Sequence, residues 1–129
     1  MVTMKPVKKA PKSVDAEPLY DPQYPARQVL RVIADTWTPI VLFCLKGKTR
    51  RFSELQRSIP DISKKMLTQT LRKLQRRGLL ERLVHPVVPP HVDYTLTAVG
   101  TKFAEAVALL CVWAQNNKSI LKRVDFNAD

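Results

Sequence analysis

The chain has 129 residues, 45% of them hydrophobic, so it can bury the core of one ordinary globular domain. Its formal net charge of +11 favours a polyanionic partner, either nucleic acid or an anionic membrane surface. Cys44 and Cys111 lie far apart in apolar patterns, which excludes a disulfide framework and fits a reducing cytoplasm. The N-terminus lacks the apolar core of a signal peptide and the apolar run at 106–114 is too short to cross a bilayer, so we expect a soluble protein.

The positive charge is concentrated in one part of the chain. Residues 46–82 hold twelve Lys and Arg residues against three acids, an excess of +9, and the rest of the chain is close to neutral. Within this segment the stretch ISKKMLTQTLRKLQRRGLL, residues 62–80, has six basic residues and no acidic one. A local excess of this kind is typical of a binding face.

Residues 1–25 are predicted to form an extended or disordered arm, because they hold five of the ten prolines and no periodic apolar pattern. The arm is either a passive tail or a basic extension that adds phosphate contacts. The folded domain is predicted over residues 26–117, and residues 118–129 are predicted to be a C-terminal tail.

Three helices are predicted before residue 60. The first carries an apolar stripe at positions 29, 30 and 33. The second is predicted to have Thr36 as its N-cap and Gly47 as its stop. A short extended link at residues 50–52 follows. The third helix opens at Ser53, where SELQ has the spacing of a capping box, and ends at Pro60.

A basic helix comes next. Ser63 can cap its N-terminus, and Leu67, Leu71 and Leu74 recur at helical spacing, which predicts one narrow stripe facing the core. Gly78 is predicted to end this helix from the position after its C-cap.

Two strands and a long helix complete the chain. The strands, residues 80–84 and 92–96, are predicted to form a hairpin around the proline-rich loop HPVVPPH. Thr97 can cap a last helix that runs to about Asn117. This helix is apolar nearly all round at 106–114, and such a terminal helix usually buries its spare surface against another subunit. We therefore predict a mainly α fold with a small β-hairpin (α+β) that forms a homodimer.

The order helix, helix, short helix, basic helix, strand, loop, strand, helix is that of a winged helix-turn-helix. The basic helix then becomes the recognition helix, whose Lys and Arg side chains can hold phosphates or guanine edges, whereas Gln69 can pair with adenine. We expect its first part to read DNA and Lys73 and the arginines after it to meet backbone or solvent. The residues predicted to contact DNA are Lys64, Lys65, Thr68, Gln69, Arg72, Lys73, Arg50, Arg51, Ser53 and His91.

The runs RRFSELQRSIPDISKKMLTQTLRKLQRRGLLER and PVVPPHVDYTLTAVG closely resemble the HxlR family of bacterial winged-helix transcription regulators. The likeness covers roughly residues 24–113. It implies a homodimer built through the N-terminal and C-terminal helices, bound to a palindromic operator in adjacent major grooves. On this resemblance the residues assigned to the dimer interface are Leu30, Phe103, Val107, Leu110 and Trp113.

Two positions depart from the family pattern. Many members begin the domain with Cys-Pro, whose cysteine is the sensor in thiol-responsive members, whereas the aligned pair here is Tyr24-Pro25. Cys44 and Cys111 are predicted to be inert, because a thiol in an apolar stripe stays protonated. The family often has Arg after the two prolines of the wing, where this chain has His91, and a neutral imidazole attracts phosphate only weakly near pH 7.

No catalytic, cofactor or metal site is predicted. His85 and His91 have only Asp93 nearby as a third ligand, and the sequence shows no nucleophile–base pair or Gly-rich phosphate loop. Two other functions stay open, namely a sequence-tolerant architectural DNA- or RNA-binding protein and a winged helix that binds proteins instead of DNA. A small-molecule effector could bind between the last helix and the helix-turn-helix, although no polar constellation marks a pocket there. We expect a cytoplasmic, nucleoid-associated location.

Overall fold

The computed structural model describes residues 19–129, and this part of the chain divides into two compact units at the boundary between Ala34 and Asp35. In the first unit, helix α1 (Pro25–Ile33) has a proline in its first turn, and Leu30 is exposed on it. Most of the predicted arm lies outside the described residues. The described end of the arm forms a turn instead of an extended chain, because the Tyr24 N–H donates to the Asp21 carbonyl.

The second unit, all of whose residues are described, is mainly helical with a small antiparallel sheet. Its elements in chain order are α2 (Thr38–Leu45), β1 (Arg50–Arg51), α3 (Phe52–Ser58), α4 (Lys64–Arg76), β2 (Leu80–His85), β3 (His91–Leu96), α5 (Ala98–Asn116) and α6 (Lys118–Leu121). This is the element order predicted from the sequence, with α4 as the basic helix. The short helix α6 lies in the segment predicted to be a tail.

The predicted hairpin is part of a three-stranded sheet. Strands β2 and β3 pair in register from Leu80 opposite Leu96 to His85 opposite His91. The segment predicted to be an extended link is strand β1, which pairs with the other edge of β3 and places Arg50 opposite Tyr94. The backbone groups of the link thus find partners on β3, and the sheet order is β1-β3-β2.

One face of α4 is buried in the core. Leu67, Leu71 and Leu74 are buried, which confirms the predicted stripe. The other buried apolar residues are Val41, Leu42, Leu45, Leu55, Ile59, Ile62, Leu79, Leu80, Ala104 and Val107. Burial of one leucine side chain is worth about 1.5–3 kcal/mol, so these contacts fix the orientation of α4 and leave its opposite face to solvent.

The two ends of α4 form as predicted. The Ser63 hydroxyl accepts a hydrogen bond from the Met66 N–H at 3.1 Å and satisfies one of the free donors of the first turn. Gly78 follows the C-cap with φ of 78°, a left-handed conformation that costs a residue with a side chain about 1–2 kcal/mol.

The start of α5 is hydrogen-bonded to the residues that directly follow α4. Thr97 caps α5 as predicted, with its hydroxyl accepting from the Gly100 N–H at 3.0 Å and donating to the Gly78 carbonyl at 2.8 Å. The Thr97 N–H donates to the Leu79 carbonyl, and Gly100 lies so close to Leu79 that an added Cβ would overlap that carbonyl. We call this contact, formed by Gly78, Leu79, Thr97 and Gly100, the α4–α5 junction.

The predicted caps of α2 and α3 are wrong. The Asp35 carboxylate, not Thr36, accepts hydrogen bonds from the Thr38 N–H at 2.7 Å and the Thr38 hydroxyl at 2.8 Å. At α3, Ser53 already lies inside the helix, and the Glu54 carboxylate accepts from the Arg51 N–H at 2.8 Å. In both places the helix uses a carboxylate that can reach its free N–H groups.

Helix α5 has 19 residues and extends well beyond the uninterrupted apolar run at 106–114. Among the described residues it is a single unbroken helix long and apolar enough to cross a membrane by length and composition alone. It also carries Lys102 and Glu105, whose charged groups lie 3.6 Å apart, and it buries Ala104 and Val107 within the unit. The nine-residue apolar run at 106–114 is thus one part of this 19-residue helix.

Candidate nucleic-acid interface

The solvent face of α4 is basic along its whole length. The helix contains no acidic residue. The exposed polar residues on it include Lys64, Lys65, Gln69, Arg72 and Arg76, and Thr68 and Lys73 are half-buried. The structure therefore gathers five predicted readers, from Lys64 to Arg72, on one helix.

The first turn of α4 combines two sources of positive potential. Lys64 and Lys65 occupy it, at the end where the aligned peptide dipoles are positive. A cation in this position disfavours the helix by about 0.3–1 kcal/mol, whereas an anion is favoured by a similar amount. The arrangement is thus unfavourable for folding and favourable for binding a phosphate.

Lys73 is engaged within the protein. Its ammonium lies 2.9 Å from the Asp35 carboxylate, which also caps α2. Burial would raise the pKa of Asp35, but hydrogen bonds from Thr38 and Lys73 outweigh it and lower that pKa from 3.8 to about 2. Lys73 therefore ties α4 to the start of α2, and its charge is largely matched before any ligand arrives.

The two arginines of β1 differ in role. The Arg50 side chain is half-buried, donating from Nε to the Cys44 carbonyl at 3.0 Å and from Nη1 to the Ser58 hydroxyl at 3.5 Å. It holds β1 to the ends of α2 and α3, which leaves little of it for a ligand. Arg51 and Ser53 are exposed, and Arg51 Nε lies 3.8 Å from an Asp93 carboxylate oxygen.

A basic cleft between α4 and the sheet brings in a residue that the sequence left without a role. The cleft has a volume of about 350 Å³ and is lined by Phe52, Thr68, Leu71, Arg72, Gln75, Arg82 and Tyr94. Arg82 is exposed on β2 directly opposite Tyr94 on β3. Two guanidinium groups and no carboxylate line this cleft, which suits a phosphate group. Only the hairpin register, which the sequence did not specify, places Arg82 next to α4.

The end of the hairpin holds both histidines. His85 Nε2 lies 2.8 Å from Asp93 Oδ2, and the His85 and His91 rings stack with centroids 4.5 Å apart. His91 is therefore packed against its cross-strand neighbour. The sequence predicted no metal site here, yet the ligand atoms of His85, His91 and Asp93 all lie within 4.8 Å of one another.

Helices α2 and α5 enclose an apolar groove of about 380 Å³. It is lined by Pro39, Ile40, Phe43, Cys44, Val107, Leu110, Cys111 and Ala114. On α5, Leu109, Leu110 and Trp113 are 71%, 55% and 56% exposed, and together they form an exposed apolar surface of the kind that marks an interaction site. Val107, predicted to lie in the dimer interface, is only 6% exposed, because it packs into the core of its own unit.

The two cysteines have different environments. Burial raises the pKa of the Cys44 thiol, against the lowering effect of Arg50 and Lys48, so this thiol stays protonated as predicted. Cys111 is exposed, so burial gives no support to the prediction that its thiol is inert. Both thiols line the apolar groove.

Comparison with known proteins gives a consistent family. Residues 32–121 match the family model described as HxlR-like helix-turn-helix. The HTH-type transcriptional regulator YtfH of Escherichia coli (strain K12) is 43% identical over 99 residues, which cover 77% of this chain and 79% of that protein. Among solved structures, the transcriptional regulator ytfH from Salmonella typhimurium has a TM-score of 0.67 at 40% identity, over 81% of this chain and 95% of that one. A MarR-family regulator from Porphyromonas gingivalis W83 has a TM-score of 0.71 at 34% identity, over 75% and 95% of the two chains.

Proposed function

The chain belongs to the HxlR-like helix-turn-helix family of transcriptional regulators, and from this premise we propose that it binds a palindromic operator as a homodimer. Its relatives are regulators, not enzymes, and its fold is that of winged-helix DNA-binding proteins. DNA is therefore its partner. The bacterial cytoplasm, in association with the nucleoid, is the location that this function requires.

The observation that carries the proposal is the unneutralised basic face of α4. We assign Lys64 and Lys65 to the phosphates or guanine edges nearest the helix N-terminus, because that end enters the major groove. Thr68, Gln69 and Arg72 follow on the same face and supply a hydroxyl, an amide and a guanidinium. The amide can pair bidentately with adenine, and the guanidinium can pair with guanine. This mixture supports sequence reading better than lysines alone would.

Phosphate contacts are assigned beside α4. Arg82 and Arg72 share the basic cleft, so one phosphate could accept hydrogen bonds from both. Arg51 and Ser53 are exposed at the start of α3, where a contact to the DNA backbone would fix the register of α4. Arg50 and Lys73 are left out of this set because their side chains are bonded within the protein.

The homodimer is supported by the exposed apolar surface of α5. Leu110 and Trp113 would be covered by a second copy, and Phe103 of α5 and Leu30 of α1 are assigned to the same interface. The lining of the apolar groove has no charged side chain that could orient a polar effector, so we assign the groove to the partner subunit. Two α4 helices should then lie about 34 Å apart, one turn of DNA.

The alternative function is sequence-tolerant architectural binding held by charge alone. It differs from the proposed function in specificity ratio and not in affinity for DNA as such. Selection of bound DNA from a random pool, followed by titration of the consensus and of scrambled DNA at physiological salt, separates the two. A specific regulator should prefer its consensus by about 10³-fold or more.

Substitutions on α4 test the assignment of reading residues. Gln69→Ala and Arg72→Ala should each lower affinity for the consensus by about 1–3 kcal/mol and relax the preference at one base position. The matched control is Arg76→Ala, further along the helix, which should weaken consensus and scrambled DNA equally. If the wild-type protein binds consensus and scrambled DNA equally well, the architectural alternative is supported. If it binds neither DNA, a winged helix that binds proteins is supported.

A further inference from the structure

The hairpin end concentrates metal-binding chemistry in one place. The chain has two histidines, and the pairing of β2 with β3 puts them directly opposite each other as His85 and His91. Asp93 follows His91 by two residues on β3, so its side chain lies on the same face of the sheet. Three side chains with ligand atoms thus share one face because of the strand register.

We propose that His85, His91 and Asp93 form a binding site for a divalent transition-metal ion, for which Zn²⁺ is the reference. Two imidazole nitrogens and one carboxylate oxygen are borderline-soft and hard donors of the kind that Zn²⁺ accepts. Mg²⁺ and Ca²⁺ prefer sets made of oxygen alone and do not match. Three protein ligands would leave a fourth position for water.

The distances require only small side-chain movements. Zn–N and Zn–O bonds of about 2.0–2.2 Å in a tetrahedron place ligand atoms roughly 3.3 Å apart. The three ligand atoms here lie within 4.8 Å of one another, and the His85–Asp93 pair is at 2.8 Å. Rotation of the imidazole rings about their side-chain bonds closes the wider separation, while the paired backbone of β2 and β3 stays in place. All three side chains are half-buried, so an ion can reach them from solvent.

Asp93 also has the outer contact that a carboxylate ligand usually has. Its Oδ2 faces His85, whereas its Oδ1 lies 3.8 Å from Arg51 Nε. The guanidinium can orient the carboxylate while Oδ2 serves the metal. Its positive charge also opposes a cation, so we expect an affinity in the micromolar range and not that of a closed structural zinc site.

Titration of the 129-residue chain with Zn²⁺, followed by calorimetry, tests the site. The thiols are the competing soft ligands of the chain, so the titration is done in the Cys44→Ser/Cys111→Ser background. One ion should bind per chain. His85→Gln and His91→Gln should each weaken binding by about tenfold or more, whereas Asp125→Asn, a matched change of an exposed acid, should not.

His91→Gln is the more informative variant. It leaves the His85–Asp93 hydrogen bond in place, so a loss of binding without a change in melting temperature reports a lost ligand and not a damaged hairpin. Because the chain has only two histidines, every imidazole proton signal in an NMR spectrum comes from this site. Both sets should shift together as Zn²⁺ is added. Unshifted imidazole signals, or undiminished binding in the His85→Gln/His91→Gln variant, would overturn the proposal and leave the cluster as a structural contact.

Discussion

Among single residues, Lys64 and Lys65 give the most direct support to the proposal that α4 binds an anion. Their charges stand at the positive end of the helix dipole, where they oppose folding. A residue type that destabilises its own helix is retained more readily when a ligand uses it. The same residues therefore allow stability and binding to be separated experimentally.

Lys65→Glu should make the protein more stable and a weaker DNA binder. Replacing a cation by an anion in the first turn should raise the free energy of unfolding by about 0.5–1.5 kcal/mol, measured by urea denaturation. DNA affinity should fall, and the slope of affinity against salt should decrease by about one. Lys122→Glu makes the same charge change outside the helix-turn-helix and should affect DNA binding less. A destabilised Lys65→Glu protein with full affinity would contradict the assignment of this turn.

From the sequence alone, the candidate site could be predicted only to the extent of which residues of α4 face solvent. The helical spacing of the leucines predicts that their face of α4 is buried. Lys64 and Gln69 are on the opposite face and are therefore predicted to face solvent. No local pattern could show that Lys73 meets Asp35, because these residues are far apart in the chain and are joined by tertiary packing. The same limit hid Arg50 on the Cys44 carbonyl. The sequence alone therefore does not distinguish a lysine or arginine that is free to bind a ligand from one that is bonded within the protein. Only the folded structure shows the difference.

For whole elements, the prediction succeeded where burial selects the structure, whereas the helix caps were predicted correctly at Ser63 and Thr97 but wrongly for α2 and α3. The stripe of α4 and the strands β2 and β3 follow from apolar spacing, which tertiary packing reinforces. At the start of α2, Thr36 is the predicted cap, but its neighbour Asp35 has a similar capping preference and is the residue whose side chain reaches the Thr38 N–H. The two-residue strand β1 has no periodicity, so only its pairing with β3 defines it.

Two glycines at the α4–α5 junction should respond differently to alanine. At Gly100 a Cβ overlaps the Leu79 carbonyl, and no rotamer change relieves a clash with backbone, so Gly100→Ala should cost about 3 kcal/mol. At Gly78 a Cβ meets nothing, and the left-handed conformation alone should cost about 1 kcal/mol. Denaturant unfolding of both variants gives the comparison. Equal losses would mean that the close approach of α5 to Leu79 contributes nothing to stability.

For the whole molecule, the exposed apolar part of α5 is the feature that a monomer explains least. Trp113→Asp places a charge at the centre of the surface assigned to the partner, and it should convert the dimer to a monomer at micromolar concentration, measured by sedimentation. A single subunit contacts only one half-site of the operator. Operator affinity should therefore fall by more in Trp113→Asp than in a variant that loses one α4 contact, such as Arg72→Ala. Val99→Asp, an exposed apolar residue of the same helix away from the groove, is the matched control. A wild-type protein that sediments as a monomer would remove the homodimer from the proposed function.

The α4–α5 junction also has a mechanical consequence. Helix α5 has 19 residues and is about 28 Å long, and one of its ends is bonded to the chain directly after α4. Two such helices held together along their far ends would act as a pair of stiff levers. A tilt of about five degrees at the junction corresponds to a displacement of about 2–3 Å at the other end of α5. A small change in the angle of α5 would then change the distance between the two α4 helices of a dimer by a few ångströms. The fold of each subunit would stay the same.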